Sequence, residues 1–139
     1  MKTPISSVLF VCTGNSCRSQ MAEGWCRYFF PDILSASAGV KAVGINPYAA
    51  KVMLEVGVDI SNQSSETLDV YDGQRFDLVV TVCDNAKQNC PVLFTEGTTL
   101  HHTFEDPPAL AAQESSDEAK LAHYRRVRDE IKEFVRQLG

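Results

Sequence analysis

No stretch of this sequence approaches the roughly 18 consecutive apolar residues that span a bilayer, so a membrane protein is not expected. Basic residues are few: thirteen Lys and Arg stand against eighteen Asp and Glu, for a net charge of -5. Nucleic acid as a main partner is therefore not expected, because phosphate backbones are met by a basic face. Internal repeats, linkers and low-complexity tracts are lacking, and a single domain over residues 1–139 is expected. The opening Met1-Lys2-Thr3-Pro4 has neither the apolar stretch nor the small-residue cleavage pattern of a signal peptide, so the expected location is cytoplasmic. In that reducing setting five cysteines, an odd number, do not read as a disulfide framework. Their spacing to the three histidines is not that of a zinc finger. Reactive, metal-binding or core roles remain for the cysteines.

The rest of the composition is that of an ordinary soluble chain, 44% hydrophobic and 22% charged. Ser7-Val8-Leu9-Phe10-Val11 is a short apolar run that predicts a buried parallel strand. Met21, Ala22, Trp25, Tyr28 and Phe29 recur at helical spacing over 19–30, and Pro31 closes that helix. A second strand is expected over 33–38. A second helix is expected over 47–56, with Pro47 at its start and Gly57 after its end. Residues 59–73 predict a short helix with connections, and Leu78-Val79-Val80-Thr81-Val82 is the most β-rich run. Residues 84–108 read as irregular, with a weak strand at 98–101. Tyr124, Val127, Ile131, Phe134, Val135 and Leu138 fall on one face of a closing helix over 117–138. Alternating strands and helices place the chain in the α/β class with a parallel sheet, whose ligands bind at the carboxyl ends of strands. Cys12 and Cys83 both fall at such ends.

The loop Cys12-Thr13-Gly14-Asn15-Ser16-Cys17-Arg18-Ser19 joins the first strand to the first helix. A loop of this length can curl so that its backbone N–H groups converge on an anion at the positive end of the helix dipole. Gly14 permits close approach, and Arg18 offers a planar fork for two oxygens. Ser19 is placed to donate to Cys12 or to cap the helix. The positive surroundings favour the thiolate of Cys12, which makes it a nucleophile towards a bound tetrahedral oxyanion.

From Val8 to Ser19 these residues resemble the opening strand and phosphate loop of the low-molecular-weight protein tyrosine phosphatase superfamily, and Asp106-Pro107 extends the likeness along the chain. That likeness implies a single-domain three-layer sandwich around a central, mainly parallel four-stranded sheet. The superfamily holds phosphatases and arsenate reductases that share the loop nucleophile. The segment Thr81-Val82-Cys83-Asp84-Asn85-Ala86-Lys87-Gln88-Asn89-Cys90-Pro91 resembles the redox segment of the thioredoxin-coupled arsenate reductases. The resemblance implies a Cys12 thio-arsenate adduct, Asp106 as general acid, and a disulfide relay through Cys12, Cys83 and Cys90 that thioredoxin resets. A phosphatase acting on aryl phosphates through a Cys12 phosphoenzyme is the alternative, and a non-catalytic redox sensor a third. Phosphate and sulfate are expected competitors, and glutaredoxin with glutathione an alternative donor. One continuous helix would hold Cys83 and Cys90 roughly 10 Å apart, beyond the span of a disulfide, so the segment has to bend. Greater mobility of residues 84–97 is expected in the oxidised form.

No organic cofactor is implied, but a potassium ion is, at Asn15, Glu23, Ser37 and Glu66. Glu66 is a longer side chain than the aspartate expected there. A monomer is expected. Cys17, Cys26, Trp25 and Tyr124 are expected to pack, and His101 and His102 to be satisfied loop residues. Pro108 stands where a phosphatase would carry an aromatic residue.

Overall fold

The apolar run after Ser7 becomes the middle of the sheet because its side chains are apolar on both faces. In the computed structural model, which describes residues 5–71, 74–82 and 98–138, β1 is Ser7–Cys12 and β2 is Leu34–Gly39. The other strands are β3, Leu78–Thr81, and β4, Thr98–His101. All pairings are parallel, in the order β2-β1-β3-β4. Val8 to Val11 are fully buried in the central strand.

Helices cover both faces and complete the three layers. The first, α1 (Arg18–Phe29), buries Met21, Ala22, Trp25 and Cys26, and the Trp25 indole donates to the Arg128 carbonyl at 3.1 Å. The next, α2 (Pro47–Glu55), begins as its sequence predicts: the Asn46 side chain accepts from the N–H groups of Tyr48 and Ala49, with Pro47 in the first turn. A 3₁₀ turn spans Leu68–Tyr71. The closing helix, Asp117–Arg136, is capped by Ser116 and buries the stripe Leu121, Tyr124, Val127, Ile131 and Val135. Burying each of those large side chains is worth about 1.5–3 kcal/mol, so this stripe, more than helix propensity, holds the helix to the core.

One element departs from the sequence reading. Pro107–Ala111 form a short helix, α3, which makes the closing helix α4. Five residues show too little periodicity to register as a helix, although the paired prolines at its start fit a first turn. Among the described residues no helix is long and apolar enough to cross a membrane.

Candidate active site

Cys12 ends β1 and Arg18 opens α1, so the loop between them sits at the carboxyl edge of the sheet. The carbonyls of Cys12, Thr13, Gly14 and Ser16 accept from the N–H groups of Val40, Lys41, Val43 and Asn46, at 3.3, 3.0, 3.1 and 3.0 Å respectively. The Asn15 carbonyl accepts from the Ser65 hydroxyl at 2.8 Å and the Gln20 amide at 3.1 Å. A planar trans peptide points its C=O and N–H in opposite directions, and no described peptide is cis. The carbonyls from Cys12 to Ser16 are all turned to these partners, so the N–H groups of the same peptides, Thr13 to Cys17, point away from them. The loop borders a cleft of about 320 Å³ lined by Cys12, Thr13, Gly14, Ser16, Cys17, Arg18, Val43, Asn46, Asp106 and Pro108. A larger groove along α4 between His102 and Glu133 has no cysteine among its described lining residues, so size does not locate the thiol chemistry.

Asn15 makes the turn with φ of 47°, a left-handed conformation that Asn tolerates better than most side chains. Its amide donates to Ser19 Oγ at 2.9 Å, and Ser19 Oγ lies 2.8 Å from Cys12 Sγ. Ser19 Oγ receives the amide hydrogen and keeps its own proton, which it can donate to the sulfur when Cys12 is a thiolate. Of the two roles open to Ser19, this is the one adopted: the cap position of α1 is Cys17, with no side-chain cap. Arg18 is fixed by its Nη1 donating to the Phe104 carbonyl at 3.1 Å, and its Nη2 lies 3.6 Å from Asp106 Oδ1. The fold thus brings Cys12, Ser19, Arg18 and Asp106 to one cleft.

Cys17 is buried beside them. Burial, and then the neighbouring Cys12 charge, push its thiol well above the usual range against the opposing pull of Arg18, so it stays protonated. Cys26 lies in the core and its thiol is also pushed up, chiefly by burial. His101 is held between the hydroxyls of Thr81, at 2.7 Å, and Thr103, at 2.8 Å. His102 stacks on Phe134.

The proposed cation ligands are already engaged. Glu23 Oε1 accepts from Ser37 Oγ at 2.6 Å, and Glu23 Oε2 pairs with Arg27 Nη2 at 2.6 Å. Asn15 Oδ1 accepts from the Glu66 N–H at 2.6 Å. Oxygen ligands suit a hard cation; here the Glu23 carboxylate already faces one positive charge, that of Arg27. Among the described residues, no three His, Cys, Asp or Glu side chains are grouped to hold a metal.

Several contributors were not visible in the sequence reading. Gly39 is the sharpest case: a Cβ there would meet Lys41 O at 2.5 Å, Asn15 N at 2.6 Å and Thr13 O at 2.8 Å, all backbone atoms. Val43, Asn46, Gln20 and Ser65 also reach the loop only through the fold. Of these, only Asn46 carried a local signal, as a helix cap before proline. Cys83 and Cys90, and the expected mobility of residues 84–97, lie outside the described residues. Val82, the last described residue before Cys83, donates to the carbonyl of Val11, the neighbour of Cys12, at 2.9 Å.

The sequence pattern described as low molecular weight phosphotyrosine protein phosphatase matches residues 7–139. The chain belongs to this family. Within the low molecular weight phosphatase family its similarity runs to proteins named arsenate reductase. That of Halalkalibacterium halodurans is 50% identical over 125 residues, 89% of this chain and 88% of its relative. That of Bacillus subtilis is 47% identical over 133 residues, covering 92% and 94% of the two chains. A solved structure of an arsenate reductase in the phosphate binding state superposes with a TM-score of 0.78 at 33% identity, over 96% of this chain and 95% of that one.

Proposed function

We propose that this chain reduces arsenate to arsenite, with Cys12 as nucleophile and a thioredoxin-type dithiol as electron source. One observation carries the choice of reduction: the β1–β3 pairing sets Thr81 against Val11 and the next residue, Val82, donates to the Val11 carbonyl, so the chain leaves β3 beside the nucleophile with Cys83 following Val82 in sequence. Hydrolysis of a phosphoenzyme needs water and uses no second thiol, whereas reduction needs an electron pair that thiols can supply.

The chemistry divides among the residues as follows. Loop N–H groups and Arg18 hold the arsenate oxygens, and charge-assisted donors of this kind are the strong ones. Cys12 Sγ forms a bond to arsenic as one arsenic–oxygen bond breaks. Asp106, the one carboxyl group among the described residues lining the cleft, gives the departing hydroxide its proton. The Cys83 thiolate then attacks Cys12 Sγ. A Cys12–Cys83 disulfide forms, the sulfur–arsenic bond breaks, and its electron pair leaves with arsenic as arsenite. Attack by Cys90 on Cys83 frees Cys12 and leaves a Cys83–Cys90 disulfide, which the external dithiol reduces by ordinary exchange.

The phosphatase reading lacks a matching observation. No aromatic ring is among the described residues lining the cleft, so an aryl phosphate has no ring to stack against. The deciding measurement is NADPH oxidation in a mixture of the protein, arsenate, thioredoxin and its reductase. Arsenate-dependent oxidation is expected. Its absence, with brisk hydrolysis of an aryl phosphate, would overturn the reading. Sustained turnover only when glutaredoxin and glutathione replace thioredoxin would reassign the donor. A Cys90→Ser variant should complete a single turnover and then stop.

A further inference from the structure

One peptide of the loop is held differently from the others. The carbonyls of Cys12, Thr13, Gly14 and Ser16 accept from main-chain N–H groups of the segment 40–46, which almost any residue could supply. The Asn15 carbonyl is held by two side chains, Ser65 and Gln20. It is also the point where φ becomes positive, at 47°.

We propose that Ser65 and Gln20, the latter fixed by Gln63, are positioning residues for oxyanion binding, keeping the Asn15–Ser16 peptide turned so that the Ser16 N–H faces the anion. Reversing that peptide would withdraw a donor and aim a carbonyl oxygen at the negative charge. The hydrogen-bond directions are well determined. Ser65 Oγ receives the Gly44 N–H at 3.1 Å, which commits its own proton to Asn15 O at 2.8 Å. Gln20 is fully buried, and its Nε2 bridges Asn15 O and Ser64 O, the second at 2.9 Å. Gln63 Nε2 donates to Gln20 Oε1 at 2.8 Å and to Gln20 O at 3.1 Å, which leaves the Gln20 amide no freedom to flip. The same segment holds the Asn15 side chain through the Glu66 N–H. Residues 63–66 therefore set both the main chain and the side chain of Asn15 without touching the cleft.

This inference rests on the anion-binding part of the function proposed above and not on arsenate reduction. Its test uses inorganic phosphate to protect Cys12 from iodoacetamide, read on the Cys12 peptide by mass spectrometry. Half-protection should require about tenfold more phosphate in Ser65→Ala and about threefold more in Gln63→Met. Ser65→Thr, which keeps the hydroxyl, should return close to wild type. Ile131→Val, a core change far from the loop, serves as the stability control. Losses in Ser65→Ala or Gln63→Met that exceed the control at matched melting temperature, with rescue by threonine, support the proposal. Protection at wild-type phosphate concentrations in both variants, or a loss no greater than the control's, overturns it. Gln63→Met carries the test should Ser65→Ala not fold. Phosphate failing to protect even the wild type would instead sink the anion-site reading itself. The assay involves no arsenate and no reductant, so its outcome is separate from that of the reductase assay.

Discussion

Arg18 has its side chain 12% exposed, with the guanidinium anchored on one side to Phe104 O and the other side turned to Asp106 and the cleft. A lysine there keeps the charge but loses the planar fork. Arg18→Lys should weaken phosphate and arsenate binding by about tenfold to a hundredfold, about 1.4–2.8 kcal/mol, measured as the phosphate needed to protect Cys12 and as KM. Ser19→Ala removes the hydroxyl facing Cys12 Sγ and leaves the buried Asn15 amide without its acceptor. Cys12 alkylation at neutral pH should slow about tenfold, a loss in keeping with one hydrogen bond to a charged group. An unchanged alkylation rate would deny Ser19 its role. At this scale the site was legible where its residues are contiguous. Cys12, Arg18 and Ser19 declare themselves because strand, loop and helix start follow one another in sequence. Gly39, Gln20 and Ser65 carry no local signal, because each matters only for what the fold lays against it.

At the scale of elements, two glycines mark where segments approach too closely for a side chain. Gly24 lies inside α1, where alanine would add about 1 kcal/mol of helix propensity. A Cβ at that point would meet Ile60 Cγ2 at 2.6 Å, and Ile60 is fully buried and branched. Overpacking costs about 1–3 kcal/mol and should win, so Gly24→Ala should lower the denaturation midpoint. Gly39→Ala, which drives a methyl into the backbone of the loop, should impair phosphate protection as well as stability. A Gly39→Ala protein with normal phosphate affinity would contradict the crossing described here. The elements β1, α1, α2 and α4 were readable from an apolar run or helical apolar spacing, with Pro47 and Gly57 marking the ends of α2. The short α3 was not, and β4 was only a weak signal because its side chains are largely exposed and leave no hydrophobic pattern.

For the molecule as a whole, carboxylates divide into two groups with opposite pH effects. Asp77 accepts from the Ser6 N–H and hydroxyl, both at 2.7 Å, Glu55 from Arg125, and Asp59 from Ser61; all are held below the usual carboxylate range. Each contributes stability that is present above its unfolded value, about 3.9 for Asp and 4.3 for Glu, and is lost as pH falls through the lower folded value. Glu23 is raised, chiefly by burial, against the lowering effects of Ser37 and Arg27. Its contribution is present below about 4.3 and is lost as pH rises through the raised folded value. Melting temperature followed from about pH 2 to 7 should show a shallower acid limb for Asp77→Asn. Glu23→Gln should flatten the decline on the neutral side.

Asn46 joins three parts of the chain. It caps α2, its N–H donates to Ser16 O in the loop, and its amide donates to the Tyr124 hydroxyl on α4 at 3.2 Å. Loop order is thereby tied to the packing of the two helices, so an anion in the cleft acts as a brace for the entire fold. By mass action phosphate at a hundred times its Kd should add about 2.7 kcal/mol to global unfolding, and amide exchange should slow in α2 and α4 as well as in the loop. Asn46→Ala should leave that global increment in place but remove the extra protection against local opening of α2 and α4, turning a brace for the helices into a local patch.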